Sequence, residues 1–208
     1  LDLSIRDMLR MLHIPSAAHH RFVRIVLPVA PWVFGCAGAA YALLPQLLSE
    51  SAGDAPIAFS GLMTVITLGC GVGIQMLGKV IDTSRSARAS AVAMGVITVG
   101  TILGAVASHT RSLPLGIAGA AVMGAGYGLA LVAGLSEVQR IARAEELAGL
   151  TAVYYSVSYT GFFIPMAFSA LAPLLGFTTL FLIGAVLALC CLVNVVLGWR
   201  AHLPGPVR

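Results

Sequence analysis

The groups best able to do chemistry gather at 78–88, Gly78-Lys79-Val80-Ile81-Asp82-Thr83-Ser84-Arg85-Ser86-Ala87-Arg88, where one carboxylate is followed by two guanidinium groups. A carboxylate such as Asp82 accepts hydrogen bonds from a helix N-terminus or pairs with an arginine, and charge-assisted contacts of this kind are strong when shielded. Arg85 and Arg88 suit an anionic lipid surface, or serve only to fix topology. A second set is phenolic: Tyr41, Tyr127, Tyr154, Tyr155 and Tyr159, with Ser158 and Thr160 flanking the last. A phenol in an apolar medium requires a partner for its hydroxyl, so these side chains are expected to face neighbouring helices or a wet cavity. Tyr127, Tyr159, Ser158, Tyr155 and Tyr41 are the candidate substrate contacts, although Tyr41 serves equally well as an interfacial anchor.

Bond-making chemistry finds little support. An intramembrane serine protease needs a serine in a G-x-S-G setting and a histidine base at membrane depth. The nearest approach is Ala58-Phe59-Ser60-Gly61, and no histidine falls within the later spans given below. Cys36, Cys70, Cys190 and Cys191 form no C-x-x-C and read as small apolar packers. His19 and His20 are adjacent and point to different sides of any helix. No catalytic residue, metal site or cofactor is expected. The Gly69-Cys70-Gly71-Val72-Gly73 run sits inside an apolar stretch, not between a strand and a helix, and so fails the context of a dinucleotide loop. Gly69/Gly73, Gly100/Gly104 and Gly124/Gly128 each have the G-x-x-x-G spacing that predicts close helix packing.

The elements that must position these groups follow from composition. The chain has 208 residues, 59% apolar and 10% charged, against roughly 25% charged in an ordinary soluble domain. Its mean hydropathy is +0.97. The pI near 9.1 rests on only 12 Lys+Arg, which sit at the ends of apolar runs and form no patch. Nucleic acid is thereby excluded as a partner, and the lipid bilayer is the expected one.

Stretches free of Asp, Glu, Lys and Arg cover 25–49, 55–78, 89–110, 112–136 and 147–199. One crossing takes about 20 apolar residues, so the first four stretches hold one helix each. The last must turn back, at Pro173-Leu174-Leu175-Gly176. Spans are therefore expected at 25–48, 57–78, 89–108, 114–136, 148–172 and 177–199, and the lack of apolar/polar alternation excludes barrel strands. Every acidic residue lies outside these spans or at their edges, so no intramembrane ionisable group marks a proton or ion path. All Lys and Arg residues except Arg111 fall on one side, which makes both termini cytoplasmic. Leu1, Ile5, Met8, Leu9 and Leu12 share one helical face opposite Asp2, Arg6, Arg10 and His13, the pattern of a short interfacial helix. Residues 1–24 read as a cytoplasmic connector, 25–199 as the membrane bundle and 200–208 as a cytoplasmic tail, in a piece of something longer.

The 78–88 loop resembles the G-x-L-a-D-r-x-G-r-[KR] signature of the major facilitator superfamily, which lies between helices 2 and 3 and, in weaker form, between helices 8 and 9. Gly78, Asp82 and the downstream basic residues match, and Arg85 stands in place of the second glycine. Glu137-Val138-Gln139-Arg140, followed by Ala144-Glu145-Glu146-Leu147-Ala148-Gly149, is similar to the helix 10–11 connector of bacterial members. Tyr159-Thr160-Gly161-Phe162-Phe163-Ile164-Pro165 is similar to the Y-x-G-x-x-x-P pattern on helix 11 of drug-efflux-like members.

This resemblance covers essentially the whole chain. It implies an all-α C-terminal half of a twelve-helix transporter, with six transmembrane helices as two inverted three-helix repeats, in the cytoplasmic (inner) membrane of a bacterium. The N-terminal six-helix half, a small-molecule substrate and protons are the implied partners. Spans one and four would line the cavity, two and five both cavity and seam, and three and six the outside. The implied function is proton-coupled efflux of a small organic solute by alternating access. Gly78, Asp82, Arg85, Arg88, Glu137 and Arg140 would form a cytoplasmic gate, and Gly161 with Pro165 a flexing point. Pro28 and Pro31 are further candidate bends. A sugar or metabolite carrier of the same superfamily and a non-transporting six-span scaffold are the alternatives.

Overall fold

The computed structural model describes residues 14–83 and 85–200. The interfacial helix expected within 1–13 and the tail at 201–208 lie outside the described residues. Among the described residues six helices are long and apolar enough to cross a membrane: α1 (Phe22–Leu48), α2 (Pro56–Ile81), α3 (Arg88–Thr110), α4 (Leu113–Ile141), α5 (Leu147–Leu175) and α6 (Phe177–Gly198). No strand forms among the described residues. The chain is a multi-pass, all-α membrane protein.

Local chemistry sets the boundaries. Pro56 and Pro114 occupy the first turns of α2 and α4, where a missing N–H costs nothing. The reversal between α5 and α6 falls at Gly176, whose φ of 75° suits glycine. The preceding Pro173 stays inside α5. Helix α3 continues to Thr110 and so takes in His109, which the expected span ending at 108 leaves out. The isolated basic residue Arg111 has a structural task there, because its Nη1 donates to Leu47 O at 2.8 Å and so caps the end of α1.

Prolines shape α1 and α5. Pro28 has no N–H to give Arg24 O, and Asn194 Nδ2 on α6 donates to that carbonyl instead, at 2.8 Å. Wide π-type turns occupy Phe22–Val26 and Ala39–Leu43, shortly before Pro28 and Pro45. Helix α5 tightens into a 3-10 turn at Thr160–Phe162, just ahead of Pro165.

Helix α4 is the hub, with α1, α2 and α3 packed on it; α6 lies on α3, and α5 on α1. Gly124 and Gly128 set the α2–α4 approach, since a Cβ on either would run into the backbone carbonyls of Thr67 and Gly71. Within the Gly69–Gly73 run of α2 the glycine in contact is Gly71, under the Tyr127 ring. Gly69 and Gly73 face open space, which corrects the expectation that their spacing marks a packed surface within this chain. Half or more of the apolar window is buried in α1, α3 and α4, but only 22% in α2 and 11% in α5.

Candidate functional site

Two clusters stand out, one ionic at the helix ends that carry most of the basic residues and one aromatic among α1, α4 and α5. The ionic cluster begins with Arg21, one residue before α1. Its side chain is fully buried and grips Glu137 of α4 in a two-pronged contact, with Nε donating to Oε2 at 2.6 Å and Nη2 to Oε1 at 2.8 Å. Arg140 donates from Nη1 to the same Oε1 at 2.8 Å, and its Nη2 pairs with Asp82 Oδ2 beyond the end of α2. Arg21 Nη1 also reaches Trp199 O, just after α6, at 3.4 Å; that carbonyl takes a second bond, at 2.9 Å, from Ala87 N at the start of α3. Five helix ends thus meet in one network of two carboxylates and two guanidinium groups. Gly78 brings α2 against Val132 of α4 one turn earlier, and this close approach puts Asp82 within reach of Arg140.

Buried charges persist only when paired and hydrogen-bonded. Among the described residues no buried side-chain nitrogen or oxygen lacks a partner. Removing any one member would leave the other three with one charge in excess, so the network favours being wholly formed or wholly hydrated over intermediate states. Arg85 and Arg88 stand outside it and are exposed. Arg88 Nε donates to Ile81 O at 2.9 Å, capping the end of α2. Beside the network, Ser16 gives its hydroxyl and its amide (3.1 Å) to Glu146 Oε2, tying the segment before α1 to the α4–α5 loop.

The aromatic cluster centres on Phe34 of α1. Its ring stacks on Tyr159 at 4.9 Å between centroids and on Phe162 at 5.0 Å, and lies 6.1 Å from Tyr127. Tyr155 continues the group, 6.3 Å from Tyr159. Tyr159 is 54% exposed, so the rings form one wall of an open face. Gly161 allows the arrangement, because a Cβ there would strike Pro31 O on α1. Pro165 packs beside Gly38 on the same seam.

The other phenolic and hydroxyl candidates go elsewhere. Tyr154 is buried against Gly134 and donates to Ala130 O at 3.2 Å. Ser158 is buried, and its hydroxyl bonds back to Tyr154 O at 2.8 Å, so it is no part of the open wall. Among the described residues Tyr41 makes no ring contact with this group.

Sequence reasoning missed Arg21 as a site residue, together with Phe34, Phe162 and Gln75. Gln75, a lone amide in an apolar span, lines a recess beside Met76 of α2 and Val132 of α4. Its polarity inside α2 was the available signal. For Arg21 the signal was its place at the end of the first span, matching that of Glu137 at the end of the fourth. Among the described residues no group of three or more His, Cys, Asp or Glu is arranged to hold a metal ion.

Stacked rings with phenolic edges can hold an organic molecule by stacking and dispersion. The ionic cluster can hold five helix ends together or release them. Comparison of the chain with protein-family models, with curated proteins and with solved structures returns no match in any of the three.

Proposed function

We propose that this chain is the C-terminal six-helix half of a major-facilitator-type secondary transporter that moves a small organic solute by alternating access. The observation that carries this reading is the packing scheme. Exchanging the first three helices for the last three turns the α2–α4 contact into α5–α1 and returns α1–α4 and α3–α6 to themselves. Two inverted three-helix repeats would produce those three contacts; the extensive α3–α4 contact departs from the exchange, because its counterpart α6–α1 is slight. The sparse burial of α2 and α5, equivalent under the exchange, supports their use as the seam with an N-terminal half. The open aromatic wall of Phe34, Tyr127, Tyr159 and Phe162 is the substrate surface in this reading. The Arg21–Glu137–Arg140–Asp82 network is the latch that closes the cytoplasmic side. Efflux and proton coupling rest on the sequence resemblance, as does assignment to a bacterial cytoplasmic membrane. Both termini inside follows from the distribution of basic residues.

The test is flux of a panel of aromatic organic solutes in vesicles reconstituted with the full-length protein. A hydrogen bond to a charged group is worth about 1.5 kcal/mol or more, so Asp82→Asn is expected to slow transport about tenfold while leaving insertion intact. Wild-type flux at normal abundance overturns the latch. An impermeant amine reagent should reach Lys79 only after cells are opened. A scaffold would also present open faces on α2 and α5; failure of every solute to move in wild-type vesicles would favour that alternative.

A further inference from the structure

We propose that the outer groove between α3 and α4 binds one anionic phospholipid, with an acyl chain in the groove and the headgroup at Arg88. The groove holds about 560 Å³ and is lined by Val92, Gly95 and Val99 of α3 and Ala121, Val122 and Ala125 of α4, with almost no polar surface. Small side chains hollow it out, and a Cβ at Gly95 would meet nothing within 4 Å. No residue of α1, α2, α5 or α6 lines it. On two membrane-crossing helices, a recess of this chemistry is filled by hydrocarbon.

Charge complementarity identifies which lipid. Arg88, Val92, Gly95 and Val99 follow one another at helical spacing and share a single face of α3. At 1.5 Å per residue, Val92 lies about 6 Å and Val99 about 17 Å deeper than Arg88, the relation of an acyl chain to its headgroup. The guanidinium is exposed, and its Nε is anchored on Ile81 O. Among the described residues its remaining N–H groups have no acceptor. The nearest acid in sequence, Asp82, is taken by Arg140. An anchored, outward-facing guanidinium with free donors suits a phosphate diester, and Arg85 in the same loop adds a second exposed cation. A helix of another protein would fill the groove without needing a cation at its mouth. The inference requires only that α3 and α4 lie in a bilayer, and so stands or falls separately from transport.

The experiment is native mass spectrometry of the full-length protein, purified in detergent and offered equimolar palmitoyl-oleoyl phosphatidylglycerol and phosphatidylcholine. Wild type is expected to retain one lipid, with phosphatidylglycerol preferred. A basic residue near the headgroups contributes about 1 kcal/mol, so Arg88→Gln should cut that preference about fivefold while the chain is still held. Gly95→Leu, which projects into open space, should abolish retention of both lipids. Val186→Leu, on the exposed face of α6, should change neither. Equal retention of the two lipids by wild type overturns the proposal. So does retention unchanged in Gly95→Leu, equal loss in Val186→Leu, or a groove found occupied by a protein partner.

Discussion

The ionic ends and the aromatic middle of this bundle solve the same problem with opposite means. At the ends, Arg21, Glu137, Arg140 and Asp82 are drawn out of water and satisfy one another. In the middle, α2 meets α4 and α5 meets α1 through glycines and rings, without ionised groups. Between transmembrane helices apolar attraction has no advantage over lipid, so association depends on close packing and a few polar contacts. The two kinds of contact therefore fail differently. A buried ion pair collapses when one partner goes, whereas a packed glycine seam loses stability in proportion to the bulk added.

The largest effect should come from the ionic end. Arg21→Met leaves Glu137 with Arg140 as its remaining guanidinium partner, and thermal unfolding in detergent should show a loss of about 3–5 kcal/mol. Adding Glu137→Leu to Arg21→Met should recover much of it, because the unmatched charge goes too. A small loss in the single variant would erase the contrast.

The glycine seam should respond next. Gly128→Ala forces a methyl against Gly71 O and should cost about 1–3 kcal/mol in the same assay. Gly73→Ala, facing open space on the same helix pair, should stay within about 0.5 kcal/mol. Equal penalties would mean that the α2 face is covered.

The smallest expected effect probes a single neutral side-chain donor between α6 and α1. Asn194→Leu deprives Arg24 O of its donor and should cost about 0.6 kcal/mol, the average for hydrogen bonds between membrane helices. Combined with Pro28→Ala, which restores a backbone donor to that carbonyl, the loss should shrink. Strict additivity of the two changes would show that Asn194 does not compensate for Pro28.

Much of the fold was legible because hydrocarbon punishes charge so heavily: the intervals between ionised residues located the crossings to within a few residues. The reversal at Gly176 was legible from its proline and glycine. At the candidate sites, the sequence pointed to Asp82, Glu137 and Arg140, and only a shared place at the span ends hinted at Arg21, which is 116 positions from its partner Glu137. Nor could spacing tell that Ser158 turns back onto its own helix while Tyr159, its neighbour, faces outward.

The sequence by itself determined that the chain is helical, crosses the bilayer and keeps its cations mainly on one side, because those properties follow from the one-dimensional pattern of charge and apolarity. Only the tertiary structure decided which glycines touch, which rings stack and which arginine neutralises which carboxylate. Those depend on the rotation and approach of whole helices, set by the shapes of surfaces brought together from distant parts of the chain.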